Sequence, residues 1–183
     1  MTPSLFDELA ETMVWSYMET AAHSRRFRDE YGQPPNSAAK THHFRSLVQI
    51  QLDSNARFTR DPRYGDYGRI AFSDHRAEAE FLVRSARAVE INQANEGELF
   101  DTSEYVNSAV TMIVFSFDAN GLHLSYVATK KRTDRFRLVA SGKPRSIGSW
   151  GYLLTTTTSF VQGVEDPFAE LGDSVEDVQD DQP

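Results

Sequence analysis

Residues 110–129 read VTMIVFSFDANGLHLSYVAT, and this stretch decides the fold. Val110–Phe117 is dense in β-branched and aromatic residues, which fit a pleated, half-buried surface. Asp118-Ala119-Asn120-Gly121 follows, and Asn-Gly supplies the positive φ that a tight hairpin demands. Leu122, Leu124, Tyr126 and Ala128 then fall on one side of a returning strand, because side chains alternate with period two. Further along, Lys130–Asp134 predicts a second turn and Phe136–Ala140 a third strand. Ser141-Gly142-Lys143-Pro144 turns the chain again, and Tyr152–Val161, with its β-branched Thr155–Thr158, predicts a fourth strand.

Toward the N-terminus the periodicity becomes helical. Leu5, Phe6, Leu9, Met13, Tyr17 and Ala21 recur at helix spacing from Ser4 to about Tyr31. Ser4 and Asp7 resemble a capping box, and Gly32 followed by Pro34-Pro35 stops the helix. Asn36-Ser37 predicts the cap of a short helix. Phe44–Leu52 fits both periods, and its Gln-Ile-Gln alternation favours a strand. Arg69–Phe72 predicts a short strand. Ser73 or Asp74 then caps a second clear helix to about Ile91, with Ala77, Phe81, Leu82, Ala88 and Val89 inward. The expected class is α+β: a long N-terminal helix and a second helix packed on an antiparallel β-meander of about four to six strands.

The chain has 183 residues, of which 39% are hydrophobic, and its 12 Phe and 7 Tyr supply large buried areas. This suits one folded domain over residues 1–163. The absence of cysteine excludes disulfides, thiolate metal sites and a Cys nucleophile. The acidic start MTPSLFDELAET does not read as a secretory signal, and Val110–Phe117 is too short an apolar run to span a bilayer. A cytoplasmic protein without membrane contact is the expectation.

Charge is unevenly placed. The net charge is −8, and residues 164–183 hold eight of the 27 acids and no Lys or Arg, leaving 19 acids against 19 bases elsewhere. That segment is expected to be a flexible acidic tail. Residues 88–120 carry six acids and no Lys or Arg. Thr129–Ser146 carries Lys130, Lys131, Arg132, Arg135, Arg137, Lys143 and Arg145 against Asp134 alone. Basic residues interleaved with an aromatic, here Phe136 between Arg135 and Arg137, suit phosphate contact with base stacking. These seven form the candidate nucleic-acid or anion site. A solvated, edge-protecting turn is the alternative reading.

The first helix carries a second candidate. Trp15 lies about 180° around the helix from Phe6, with Val14 and Met18 in the arc between. Val14, Trp15 and Met18 are therefore candidate partner-binding residues, suited to a protein partner or to a homo-oligomer. Other constellations carry less. His75 and Glu78 are spaced for a shared metal on a helix, with His42, His43 and Asp53 as remote suppliers, but a plain helix N-terminus explains them as well. Gly142–Ser149 lacks the order of a phosphate loop, and Pro144 removes an N–H from it. No nucleophile elbow, zinc-protease or dinucleotide motif occurs, so no catalytic residue, metal or cofactor is assigned.

The composite expectation is a non-enzymatic macromolecular-interaction protein that self-associates or binds a partner. A viral or mobile-element accessory role enters by exclusion alone. The alternative is a nucleic-acid-binding protein, or an enzyme on nucleic acid, working through the 130–145 surface.

Overall fold

A computed structural model of the chain describes residues 4–61, 69–90, 105–132 and 138–152. The first helix, α1, runs Leu5–Tyr31. Its start is fixed by reciprocal bonds: Ser4 Oγ accepts from the Asp7 N–H at 3.1 Å, and Asp7 Oδ2 accepts from the Ser4 N–H at 3.2 Å. Its end is fixed by Gly32 at φ 74°, whose N–H reaches the Arg28 carbonyl. That left-handed conformation costs glycine little. A second helix, α2, spans Ser37–Asp53 behind Asn36, whose side chain accepts from the Ala39 N–H.

Among the described residues, seven strands form one mixed sheet: β1 (Phe58–Arg60), β2 (Ile70–Asp74), β3 (Ala79–Ser85), β4 (Tyr105–Asp118), β5 (Gly121–Arg132), β6 (Leu138–Ala140) and β7 (Arg145–Trp150). They lie in the order β1-β2-β3-β4-β5-β6, and β7 also pairs with β5. Long β5 therefore has β4 along one edge and, end to end along the other, β6 and β7. The β4–β5 hairpin closes at Asp118–Gly121 as its sequence implies, and a Cβ at Gly121 would overlap the Trp150 carbonyl oxygen.

Alternation along the strands makes two apolar faces. On one, Phe72, Phe81, Val83, Ile113, Leu122 and Leu124 meet Leu9, Met13, Tyr17, Phe44 and Val48 of the two helices. Aromatic contacts knit this layer: Tyr17 stacks on Phe117 at 4.2 Å, and Phe44 meets Phe115 at 5.7 Å. On the other face Ala71, Leu82, Met112, Val114 and Val127 pack with Val89. The architecture is α+β, two long helices on a sheet.

Several expectations are corrected. Phe44–Leu52 is helix, not strand: Phe44, Val48 and Leu52 form one buried stripe at i, i+4, i+8, and Ile50 points to solvent. The stretch from Asp74 toward Ile91 is not a helix. It turns at 75–78 and returns as β3, with a helical turn only at residues 86–90. Phe81, Leu82 and Val83 are consecutive and all buried, which suits a strand covered on both faces and no amphipathic helix. The sheet is not a pure antiparallel meander, because β3 and β4 run parallel. Beyond the turn at Ser141–Pro144, Arg145–Trp150 forms a strand on β5 that the sequence reading did not assign. The third strand is Leu138–Ala140. Of the expected strand Tyr152–Val161 only Tyr152 is described, and it is in no strand; the remainder and the acidic tail over 164–183 lie outside the described residues.

One polar cluster joins the layers. Arg57 donates to Asp74 Oδ2 through Nε at 3.0 Å and Nη2 at 2.8 Å, and its Nη1 reaches Glu8 Oε1 at 3.0 Å. Asn55 also donates to Glu8. The Asp74 side chain is completely buried. Burial alone would raise its carboxyl, but the Arg57 hydrogen bonds, the Arg76 N–H and the Arg57 charge hold it below its ordinary value. Arg57→Leu should therefore cost about 3–5 kcal/mol in urea unfolding, because it strands a buried carboxylate. A carboxyl with a depressed folded pKa contributes fully above its unfolded value and loses that contribution as pH falls through the folded one. Stability measured from pH 7 to pH 2 should fall in the acid range, and Asp74→Asn should flatten that fall.

Candidate functional site

The basic stretch is held by β5 and its two edge partners. Lys130 and Lys131 pair with Val139 and Leu138 of β6, and Arg145 stands opposite Tyr126. Strand parity then separates the cations. Tyr126, Ala128 and Lys130 continue the row begun by Leu122 and Leu124, on the helix side of the sheet. Arg145 shares that side through its pairing with Tyr126, and Lys131 takes the other side.

The helices cover only part of this row. Leu122 and Leu124 are fully buried, whereas Tyr126 is 38% exposed and Ala128 and Arg145 are open to solvent. The result is a shelf: an aromatic ring on a central strand, with Arg145 beside it and Lys130 further along. Among the described residues, Lys130, Lys143 and Arg145 enter no ion pair. Lys143 lies in the exposed turn between β6 and β7. Arg132 ends β5, and Arg135 and Arg137 lie outside the described residues. The structure thus gathers part of the basic set on one face and adds Tyr126, a member of the hairpin's expected apolar row.

The α1 candidates separate. Val14 is buried, and Met18 is half-buried against the helix–sheet core. Only Trp15 faces outward, at 43% exposure. The expected three-residue patch is therefore one tryptophan on the outer side of the helix.

The histidine and acid candidates for a metal do not converge. His75 sits in the turn after β2 and bonds the Thr59 hydroxyl, and Glu78 holds a left-handed φ of 50°. No group of three metal-ligating side chains occurs among the described residues. Adjacent His42 and His43 lie on α2, and His43 turns to α1. Its ring stacks on His23 at 4.4 Å and 11°, and its Nδ1 lies 3.1 Å from Thr20 Oγ1. Thr20 donates its own proton to the Ser16 carbonyl, so it is the acceptor for His43 Nδ1–H. Burial first, then the charges of His23 and Arg26, push the His43 pKa down, and Glu19 acts the other way.

A further constellation was not legible as such. His123 of β5 lies 2.8 Å from Asp118 Oδ2 by Nε2 and 2.7 Å from Ser149 Oγ by Nδ1. Asp118 and His123 flank the hairpin turn, which was readable. Ser149 joins them only because β7 pairs with β5. Asp118 is held low chiefly by the Asn120 N–H, against some burial, with His123 helping.

No protein-family model, curated protein or solved structure matches the chain. No helix among the described residues is long and apolar enough to cross a membrane.

His43 gives the helical pair a pH response with a defined sign. A His with a depressed folded pKa makes the unfolded chain the stronger proton binder, so stability is full above the unfolded value and declines as pH falls below it. Between pH 8 and pH 5.5 the urea midpoint should drop, and His43→Gln should reduce that drop.

Proposed function

We propose that the protein binds single-stranded nucleic acid on the uncovered part of the sheet's helix side. The observation that carries this reading is Tyr126, exposed on the central strand with Arg145 opposite and Lys130 on the same face. Such a ring offers any base a π-face, and the cations meet the phosphates. The charge pattern supports it, since the net-neutral body concentrates its excess positive charge in residues 129–146. Anisotropy of a fluorescent oligothymidylate, titrated across a salt series, tests the reading. Each neutralised phosphate of a single strand contributes about 0.7 to the log–log salt slope, so Arg145 and Lys130 should give a slope of roughly −1.4. Tyr126→Ala should weaken binding about tenfold, within the 1–3 kcal/mol range of base–aromatic stacking. Salt-independent binding, or unchanged affinity in Tyr126→Ala, would sink the proposal.

A second reading, a non-enzymatic protein that self-associates or docks a partner, is favoured by Trp15. Tryptophan is enriched among the residues that dominate interface energetics. Sedimentation velocity should then show a dimer that dissociates in Trp15→Ala. A wild-type chain that stays monomeric at high concentration removes the self-association form of this reading.

A further inference from the structure

We infer that Ser149 is an activated nucleophile that accepts an acyl group from an activated ester, with His123 as its base and Asp118 as the carboxylate that orients the base. The three side chains form one relay, Ser149 Oγ to His123 Nδ1 at 2.7 Å and His123 Nε2 to Asp118 Oδ2 at 2.8 Å. This inference goes beyond the binding reading and uses the other face of the sheet. His123 and Ser149 are register partners with the parity of Val127, whereas Tyr126 has the parity of Leu124.

The tautomer follows from the partners. An ionised carboxylate only accepts, so the ring proton sits on Nε2 and the Nδ1 lone pair faces the serine hydroxyl. Asp118 is positioned before it meets the ring. Its Oδ1 accepts from the Asn120 N–H at 2.7 Å and from the Gly121 N–H at 3.2 Å, leaving Oδ2 for the imidazole. The Tyr152 hydroxyl donates to the Asp118 carbonyl at 2.7 Å, which ties the turn to the chain beyond β7. His123 and Ser149 stand on paired strands, so the serine–base distance is set by the ladder and not by a loop. All three side chains are at least partly exposed, and among the described residues β7 pairs only with β5, so an electrophile can approach Ser149.

A nucleophile, a base within hydrogen-bond reach and a third group orienting the base are the recurring elements of an activated serine. In the step, Ser149 Oγ bonds to the ester carbonyl carbon while the hydroxyl proton passes to His123 Nδ1. The imidazolium is stabilised by Asp118. The carbon–oxygen bond to the leaving group breaks, the alcohol or phenol departs with the proton, and the acyl group stays on Ser149.

The test is acylation of the full chain by p-nitrophenyl acetate, followed by mass spectrometry of the peptides. Acetyl should accumulate on Ser149 well ahead of the exposed serines Ser46 and Ser54. His123→Ala should slow it roughly a hundredfold, the lower end of what a positioned base supplies, and added imidazole should restore part of the rate. Asp118→Asn should slow it as well. His123→Gln, which keeps a polar side chain on the strand, guards against an unfolded Ala variant. Ser149 labelling no faster than Ser46 and Ser54, or at the same rate in a folded His123 variant, overturns the inference and leaves the relay as a strand-pairing contact.

Discussion

The central constraint is that β5 is hydrogen-bonded along both edges for nearly its whole length. β4 takes one edge, and β6 and β7 divide the other. A strand fixed on both sides cannot slip by one residue without inverting every side chain. Its alternation therefore assigns each neighbour to a face. Leu122 and Leu124 go under the helices, Val127 goes to the second apolar layer, and Tyr126 is left where the helix cover ends. Both candidate surfaces descend from this one strand, the shelf from its even positions and the serine relay from His123.

The helix layer is held on that sheet by two unequal contributions. Burial of leucine, phenylalanine and tyrosine side chains supplies most of the driving force, at about 25 cal/mol per Å² of apolar area. Such burial is non-directional, and the Glu8–Arg57–Asp74 cluster adds direction. Its net contribution is small relative to a well-packed apolar substitute, because desolvation offsets much of the attraction. What it does is join α1, the corner after α2 and the end of β2 at one point. The Asp7 carboxylate adds a second tie, accepting from Trp150 Nε1 of β7 at 3.1 Å while it caps α1.

The legible parts of the sequence were those governed by local chemistry. Ser4, Asp7 and Gly32 bound α1, Asn36 caps α2, and Asn120-Gly121 closes the hairpin, each through atoms within a few residues. The misread parts had two local solutions. Phe44–Leu52 satisfies both periods, and only contact with α1 and the sheet selects the helix. Asp74 looked like a helix cap because a short acid can bond the N–H groups ahead of it. It does accept from the Arg76 N–H, yet the decisive partner is Arg57, 17 residues earlier.

The same division holds for the candidate sites. The sequence by itself determined the hairpin, the long capped helix, the charge asymmetry and the Trp15 that the helix cannot bury together with Phe6. Tertiary structure decided that β3 and β4 run parallel, that Val14 and Met18 turn inward, and that Ser146 and Ser149 lie on a strand. It also decided that Tyr126 meets Arg145 and that Ser149 meets His123. Those pairings depend on which strand lies beside β5, a choice made by packing across the whole sheet. Residues 19 or 26 positions apart carry no local signal of their contact.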